Sequence, residues 1–159
     1  MKAKRRARQR LLIDTNLWLV MIIGAVDEGR YIAKSKRLRS YSREDSDKLW
    51  EIFGSYKEVW ITSYIAAEVS NLIDLDGEAG VKAYVIAKEV FSRLKQVESL
   101  IARDCETDFY ISFGLTDSSI IQLSEKFDVL TNDTRMFGPL YKVGGENVIP
   151  YLPASSLSG

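Results

Sequence analysis

Residues 11–16 read LLIDTN, so three aliphatic side chains run directly into an acid, a hydroxyl and an amide. Continuous aliphatic residues are typical of a strand that is covered on both faces, as in a parallel sheet. In open α/β sheets, ligands bind just outside the carboxyl ends of the strands. The pattern therefore predicts a buried first strand ending at Asp14, at the sheet edge where chemistry is expected.

Three other acids stand in comparable positions. Glu68 falls in a helix that follows a second short strand, Asp117 opens a helix in the last third of the chain, and Asp133 follows a later strand. Strand ends and the helix starts behind them lie at one edge of an α/β sheet. We therefore expect these three carboxylates to converge with Asp14.

Hydrophobic periodicity predicts the other elements of an α/β fold. Strands are predicted at 11–14, 59–61, 128–131 and 148–149, the last being an edge strand stopped by Pro150. Helices are predicted at 16–26, from Ser42 onward, at 64–73, 80–100 and 115–127, with a turn at Gly138–Pro139. The segment 101–114 fits either a short strand or a short helix.

Helix starts have recognisable capping residues. Thr15 or Asn16 can cap the helix at 16–26, which is apolar nearly all round and is expected either to be buried or to carry a partner interface. Ser42 with Asp45 predicts a capping box, and Thr62 supplies a cap for the helix that carries Glu68.

Composition restricts the chemistry. The chain of 159 residues has 22 basic and 22 acidic residues and no histidine, which removes the commonest general base and zinc ligand. A single cysteine, Cys105, excludes an internal disulfide and a cysteine-cluster metal site, and it fits a reducing, cytoplasmic compartment. A metal site would therefore use oxygen ligands, which favours Mg²⁺ or Mn²⁺.

Convergent carboxylates favour a metal on electrostatic grounds. Like charges in one cleft raise one another's pKa, and burial adds to that cost, which a divalent cation removes. The cation can also activate a water molecule and neutralise charge on an attacked phosphate. Each acid also has a purely local interpretation: Asp14 and Asp117 as helix caps, Asp133 as a turn residue and Glu68 as a solvent-facing side chain.

The positive charge is concentrated in two segments. Six Lys and Arg lie within residues 1–10, a basic arm, so the other 149 residues carry 16 bases against 22 acids, a net charge of −6. A second cluster lies between two tyrosines and fits either a solvated loop or a nucleic-acid contact. The candidate contact residues are Lys34, Lys36, Arg37, Arg39 and, further along the chain, Arg135.

The apolar run at 17–23 raises the question of a targeting segment. Asp14 and Asn16 interrupt the apolar stretch before it, and charged residues rather than a small-residue cleavage site follow it. The run is also too short to span a bilayer. We therefore expect neither a signal peptide nor a membrane segment here.

Four segments, taken in order, resemble the acidic motifs of the PIN-domain ribonucleases. They are Leu11–Asn16, Thr62–Val69, Leu115–Ile120 and Val129–Asp133. Each motif alone is weak, but the ordered set is fairly specific, and the resemblance covers about 11–151, leaving 152–159 as a flexible tail. Two positions depart from the family pattern: Ser63 stands where proline often opens the second motif, and the small residue after the third acid is the polar Ser118.

The resemblance implies a three-layer α/β/α fold with a central, mainly parallel sheet, and an endonuclease that needs Mg²⁺ or Mn²⁺ and usually cleaves RNA. It makes Asp14, Glu68, Asp117 and Asp133 the catalytic and metal-binding acids, with Asn16 and Thr131 as supporting polar groups. Many small members resemble the toxins of bacterial or archaeal toxin–antitoxin pairs. The resemblance therefore also implies a homodimer that a small antitoxin protein inhibits.

Two other classes of function fit parts of the sequence. One is a PIN-like module that binds RNA or a protein without catalysis, although the presence of all four acids counts against it. The other is a phosphotransfer domain of the haloacid-dehalogenase type. That motif needs a second Asp two residues after the first, where this chain has Asn16.

Overall fold

The computed structural model describes residues 9–157, and the part of the basic arm at 1–8 lies outside the described residues. Its centre is a five-stranded parallel sheet with the strand order β3-β2-β1-β4-β5. The strands are β1 (Arg10–Ile13), β2 (Glu58–Thr62), β3 (Lys95–Val97), β4 (Asp128–Thr131) and β5 (Val148–Pro150). The predicted strands at 11–14, 59–61, 128–131 and 148–149 are confirmed, with β1 beginning at Arg10.

Helices cover both faces of the sheet and give the expected three-layer α/β/α fold. They are α1 (Thr15–Gly24), α2 (Arg43–Gly54), α3 (Ser63–Leu72), α4 (Gly77–Arg93), α5 (Ile101–Asp104), α6 (Phe109–Leu123) and α7 (Thr134–Gly144). In one group α1 packs against α2, α3 and α4, and in the other α6 packs against α5 and α7. Because all strands run the same way, their carboxyl ends share one edge of the sheet.

Helix α1 forms the centre of the core. Every residue from Leu17 to Ile23 is buried completely, which explains why the helix is apolar on all sides. Trp18 is among the largest fully buried side chains and packs edge-on against Phe53 and Phe91. Of the two expectations for this helix, burial is confirmed, and its apolar surface is not available to a partner.

The caps differ from prediction at one helix. Asp14 caps α1, since its Oδ1 accepts a 2.7 Å hydrogen bond from Thr15 N. The expected cap at Thr15 or Asn16 is therefore wrong, and Thr15 Oγ1 has no hydrogen-bond partner within residues 9–157. The Ser42 capping box and the Thr62 cap are confirmed, the latter by a 3.1 Å bond from Ile65 N to Thr62 Oγ1.

The predicted helix at 80–100 is wrong at its end. Helix α4 stops at Arg93, and Lys95–Val97 pairs with Trp60–Thr62 of β2 as an edge strand. The strand is only three residues long and mostly exposed, so it lacks the apolar run that identifies buried strands. Its Lys95 side chain lies 2.6 Å from Glu58 Oε1, which joins the two strands at the surface.

The predicted turn at Gly138–Pro139 is also wrong, because Pro139 lies inside α7. A proline inside a helix removes one backbone hydrogen bond. Here Met136 and Leu140 lie one turn apart and are both buried completely, and this burial favours the helix. The chain turns later, at Gly145, whose φ of 53° lies in the left-handed region.

The ambiguous segment at 101–114 is helical. It contains α5 and the first turns of α6, and Gly114 interrupts α6 with a φ of 78°. The helix resumes after Gly114, so Asp117 lies near a helix start, as the sequence predicts. The kink separates the outer turns, where Ile111 is 86% exposed, from the buried part that begins at Ser118.

The expected flexible tail packs onto α2 as far as it is described. Asp45, which is fully buried, accepts hydrogen bonds from Tyr151 Oη at 2.7 Å and from Ala154 N at 2.8 Å. Ala154–Leu157 forms a 3₁₀ turn. Within residues 9–157, none of the helices combines the length and the apolar character needed to cross a membrane.

Candidate active site

Asp14 lies at the carboxyl end of β1, as the sequence predicts. Its residue is 7% exposed, and each carboxylate oxygen has a different partner. Oδ1 accepts from Thr15 N at 2.7 Å, and Oδ2 accepts from Thr131 Oγ1 at 2.7 Å. Burial raises the pKa of Asp14, and these two hydrogen bonds act in the opposite direction. The Asp14 side chain therefore both caps α1 and lies at the cleft.

The register of β1 against β4 explains why Thr131 reaches Asp14. Ile13 pairs with Leu130, and Asp14 N donates to Leu130 O at 3.0 Å. The next residues, Asp14 and Thr131, are then neighbours across two parallel strands. Thr131 is fully buried, and its hydroxyl also accepts from Asp133 N at 3.0 Å. One hydroxyl therefore joins the first acid to the backbone of the fourth.

Asp133 caps α7 and is paired with Arg135. Its Oδ1 accepts from Arg135 N at 3.0 Å and from Arg135 Nε at 3.1 Å, while Oδ2 accepts from Arg135 Nη2 at 2.8 Å. The hydrogen bond from the Arg135 side chain is the main cause that lowers the pKa of Asp133. The same Nη2 lies 3.9 Å from Asp117 Oδ2.

Asp117 and Glu68 come from helices on opposite faces of the sheet. Burial, followed by the charges of Asp14, Asp133 and Glu68, raises the pKa of Asp117 to about 7. The charges of Asp133 and Glu68 also raise the pKa of Asp14. Electrostatic interactions therefore link all four acids, and a carboxyl group that titrates near neutral pH in such a cluster is a candidate for function. Glu68 is half-buried rather than fully exposed to solvent.

A polar cleft with a volume of about 370 Å³ opens beside Asp14. It is lined by Asp14, Asn16, Tyr41, Asn132, Asp133, Thr134 and Arg135. Asn16 is exposed there, which places it beside Asp14 as expected of a supporting polar group. Asp117 and Glu68 are outside the lining, so the four acids interact by charge without sharing one wall.

The donor set suits a hard divalent cation, because it consists of carboxylate, amide and hydroxyl oxygens. Within residues 9–157, however, no three acidic, His or Cys side chains converge on one point as the ligands of a single metal ion. Mg²⁺ usually keeps several waters and uses one or two carboxylates. The residues thus fit at most a loosely held Mg²⁺ or Mn²⁺, which Asp14 and Asp133 on the cleft wall would hold.

Three residues of the cleft, Tyr41, Asn132 and Thr134, were not among the predicted site residues. Asn132 Nδ2 donates a 2.6 Å hydrogen bond to Tyr41 Oη, which joins the end of β4 to the segment before α2. Asn132 directly follows a buried strand, so the rule that identified Asp133 also applies to it. Tyr41 has no local signal beyond its place beside the basic cluster.

The basic cluster directly precedes the cleft residue Tyr41 in the sequence. Lys34, Lys36, Arg37 and Arg39 are exposed on short 3₁₀ turns that Ile32 and Leu38 anchor in the core. Lys36 N donates to Asp74 Oδ2 at 3.1 Å, which fixes one turn against the end of α3. Arg39 is two residues from Tyr41 of the cleft.

Comparison with known proteins adds no assignment to this geometry: no family model matches the chain, and no curated protein matches it either.

Proposed function

We propose that the protein is a divalent-metal-dependent endoribonuclease of the PIN-domain type, which hydrolyses phosphodiester bonds of RNA. One observation carries the proposal: Thr131 bonds both Asp14 and the backbone of Asp133, and Arg135 contacts both Asp133 and Asp117, so these three acids lie together at one sheet edge. Repulsion among such acids destabilises a protein that binds no cation there. A phosphodiesterase uses the same negative charge to bind its metal ion.

The residues would divide the work as follows. Asp14 and Asp133 hold the cation from the cleft wall, and Thr131 fixes both by its two hydrogen bonds. A bound Mg²⁺ or Mn²⁺ supplies activation of the attacking water and neutralises charge on the phosphate. Burial and the neighbouring acids raise the pKa of Asp117 to about 7 without a cation, and a bound cation would lower it, so Asp117 would be an ionised carboxylate beside the loaded site.

RNA as the substrate is supported by the cleft and its approach. The exposed bases Arg37 and Arg39 supply cations for phosphates, and Tyr41 supplies a half-buried ring at the cleft. Such combinations of cations and rings suit single strands. The choice of RNA over DNA rests on the resemblance to the PIN-domain ribonucleases.

The decisive experiment compares Asp14→Asn with the wild-type protein on a single-stranded RNA. We expect Asp14→Asn to abolish cleavage while circular dichroism shows a folded protein. Asp47→Asn, an exposed acid on α2, is the matched control and should cleave normally. Cleavage by the wild type that persists in EDTA would contradict the proposal.

A second candidate is a PIN-like module that binds RNA or a protein without cutting it. The Arg135 ion pairs favour it, because they compensate the charges of Asp133 and Asp117 without a metal. This candidate predicts that the wild type binds RNA with equal affinity in EDTA and in Mn²⁺, and that calorimetry detects no Mn²⁺ binding.

The proposal includes cytoplasmic location, a homodimer and inhibition by a small antitoxin, as the resemblance implies. Residues 17–26 do not support a dimer, since α1 is buried in the core. Sedimentation equilibrium tests the dimer directly. A small neighbouring reading frame whose product binds the protein and stops cleavage would support the toxin role.

A further inference from the structure

We propose that Arg135 is a built-in counter-ion of the acidic cleft, which competes with the divalent cation for Asp133 and moves to a phosphate of the RNA when the cation binds. This inference rests on the proposed function. Arg135 then acts both in metal binding and in substrate positioning. Metal binding and phosphate binding are therefore coupled through its side chain.

Arg135 contacts two of the four acids. Its guanidinium donates to both carboxylate oxygens of Asp133, at 3.1 Å from Nε and 2.8 Å from Nη2. Nη2 also lies 3.9 Å from Asp117 Oδ2. Within residues 9–157, it is the only basic side chain that forms an ion pair with any of the four acids. Arg135 therefore balances charge where the proposed function requires a cation.

The guanidinium and a metal ion compete for the carboxylate of Asp133. Arg135 already donates two hydrogen bonds to Oδ1 and one to Oδ2, which leaves few lone pairs for a metal ion. Two positive charges at one carboxylate also repel each other. A metal ligated by Asp133 would therefore lie beside the guanidinium, and repulsion between the two charges favours release of the Arg135 side chain.

The Arg135 side chain can move away from Asp133 without disturbing the fold. Its side chain is 72% exposed, whereas the Asp133 side chain is 22% exposed. The cap of α7 persists after displacement, because Asp133 Oδ1 also accepts from Arg135 N. The guanidinium is part of the cleft lining, so once released it is placed to bind a phosphate with its paired donors.

The first test measures Mn²⁺ affinity by calorimetry without RNA. Arg135→Gln removes the competing charge, so we expect it to bind Mn²⁺ about fivefold more tightly than the wild type, the factor expected of a partly exposed ion pair. Arg93→Gln is the control, because Arg93 is 78% exposed and lies 3.6 Å from Glu89 on α4, so its Mn²⁺ affinity should be unchanged.

The outcomes separate this inference from the function on which it rests. Equal or weaker Mn²⁺ binding by Arg135→Gln, with clear binding by the wild type, overturns the inference and leaves the proposed function standing. No Mn²⁺ binding by any of the three proteins overturns the proposed function and the inference together. Circular dichroism of each variant establishes that it is folded.

The second test measures the affinity for a short single-stranded RNA by fluorescence anisotropy, in EDTA and in Ca²⁺, another hard cation that prefers oxygen ligands. With Ca²⁺ bound, Arg135 is free to hold phosphate, so Arg135→Gln should weaken RNA binding severalfold. In EDTA the guanidinium is held by Asp133, and the same variant should bind RNA like the wild type. An equal loss of affinity under both conditions overturns the exchange.

Discussion

The hydroxyl of Thr131 donates a 2.7 Å hydrogen bond to Oδ2 of Asp14, although the two residues are 117 positions apart in the chain. The same hydroxyl accepts from the backbone of Asp133 at 3.0 Å. Because β1 and β4 are adjacent parallel strands, this bond sets the distance between two of the four acids. Thr131 is therefore the residue whose removal tests whether the sheet positions the cleft.

Thr131→Val keeps the shape of the side chain and removes its hydroxyl. We expect the free energy of unfolding to fall by about 1–3 kcal/mol, because the buried carboxylate of Asp14 and the partly buried N–H of Asp133 each lose a partner. Urea denaturation measures the loss. Thr131→Ser is the control, since it keeps the hydroxyl and loses one methyl group, worth about 0.8 kcal/mol. A Val variant no less stable than the Ser variant would show that the bond has no structural role.

Asp117 should make the stability of the metal-free protein fall as pH rises. Its pKa is about 7 when folded and returns to its ordinary value of 3.8 when unfolded. Between these values the folded state holds a proton that the unfolded state has released, so the free energy of unfolding decreases from about pH 4 to about pH 7. Above pH 7 both states are ionised and this contribution stays lost.

Asp117→Asn removes the titrating group together with its repulsion of the neighbouring acids. We expect the variant to be more stable than the wild type at pH 8 in EDTA, with the difference shrinking as pH approaches 4. Thermal unfolding at several pH values measures it. Added Mn²⁺ should reduce the difference at pH 8 by stabilising the wild type. A difference that does not change with pH would contradict the raised pKa.

The sequence was sufficient for those parts of the fold that depend on local pattern. The aliphatic run before Asp14 predicts β1, because a parallel strand covered on both faces is nearly continuous in aliphatic residues. The exposed edge strand at Lys95–Val97 lacks that run, and the sequence pattern predicts helix there. The helix around Pro139 was missed because the burial of Met136 and Leu140 depends on tertiary contacts.

The sequence predicts the acids of the candidate site but not the contacts between its side chains. Asp14 and Asp133 follow strands and Asp117 lies near a helix start, whereas Glu68 lies in the middle of α3 and follows from the family resemblance. The bond between Asp14 and Thr131 depends on strand order and register, and one sequence does not specify which strand is adjacent to β1. The pairing of Arg135 with Asp133 is local, two residues apart, but its competition with a cation follows only from its contact with both carboxylate oxygens.

Tyr41 should contribute its ring, rather than its hydroxyl, to RNA binding. Tyr41→Ala removes the aromatic face at the cleft, so we expect RNA affinity to fall by about 1–3 kcal/mol, the range for one stacked base. Tyr41→Phe keeps the ring and loses only the acceptor for Asn132, so it should bind RNA nearly as well as the wild type. Fluorescence anisotropy distinguishes them, and equal losses in both variants would instead assign the effect to the hydroxyl.

The basic cluster should affect the salt dependence of RNA binding more than the rate of cleavage. Arg37 and Arg39 are exposed and precede the cleft residue Tyr41, so each can neutralise one phosphate. For single strands, each neutralised phosphate contributes about 0.7 to the slope of log affinity against log salt concentration. The double variant Arg37→Gln, Arg39→Gln should therefore give a slope shallower by about 1.4. At saturating RNA its cleavage rate should match the wild type, because neither side chain lines the cleft.

The matched control is Lys88→Gln with Arg93→Gln, which removes the same charge from the exposed surface of α4. Equal net charge in the two double variants separates a local contact from a general attraction of RNA to the protein. If RNA follows the basic cluster into the cleft, only the Arg37 and Arg39 variant changes the slope. If both variants change the slope equally, the attraction is non-specific, and the cluster is a solvated segment with no part in guiding RNA to Asp14.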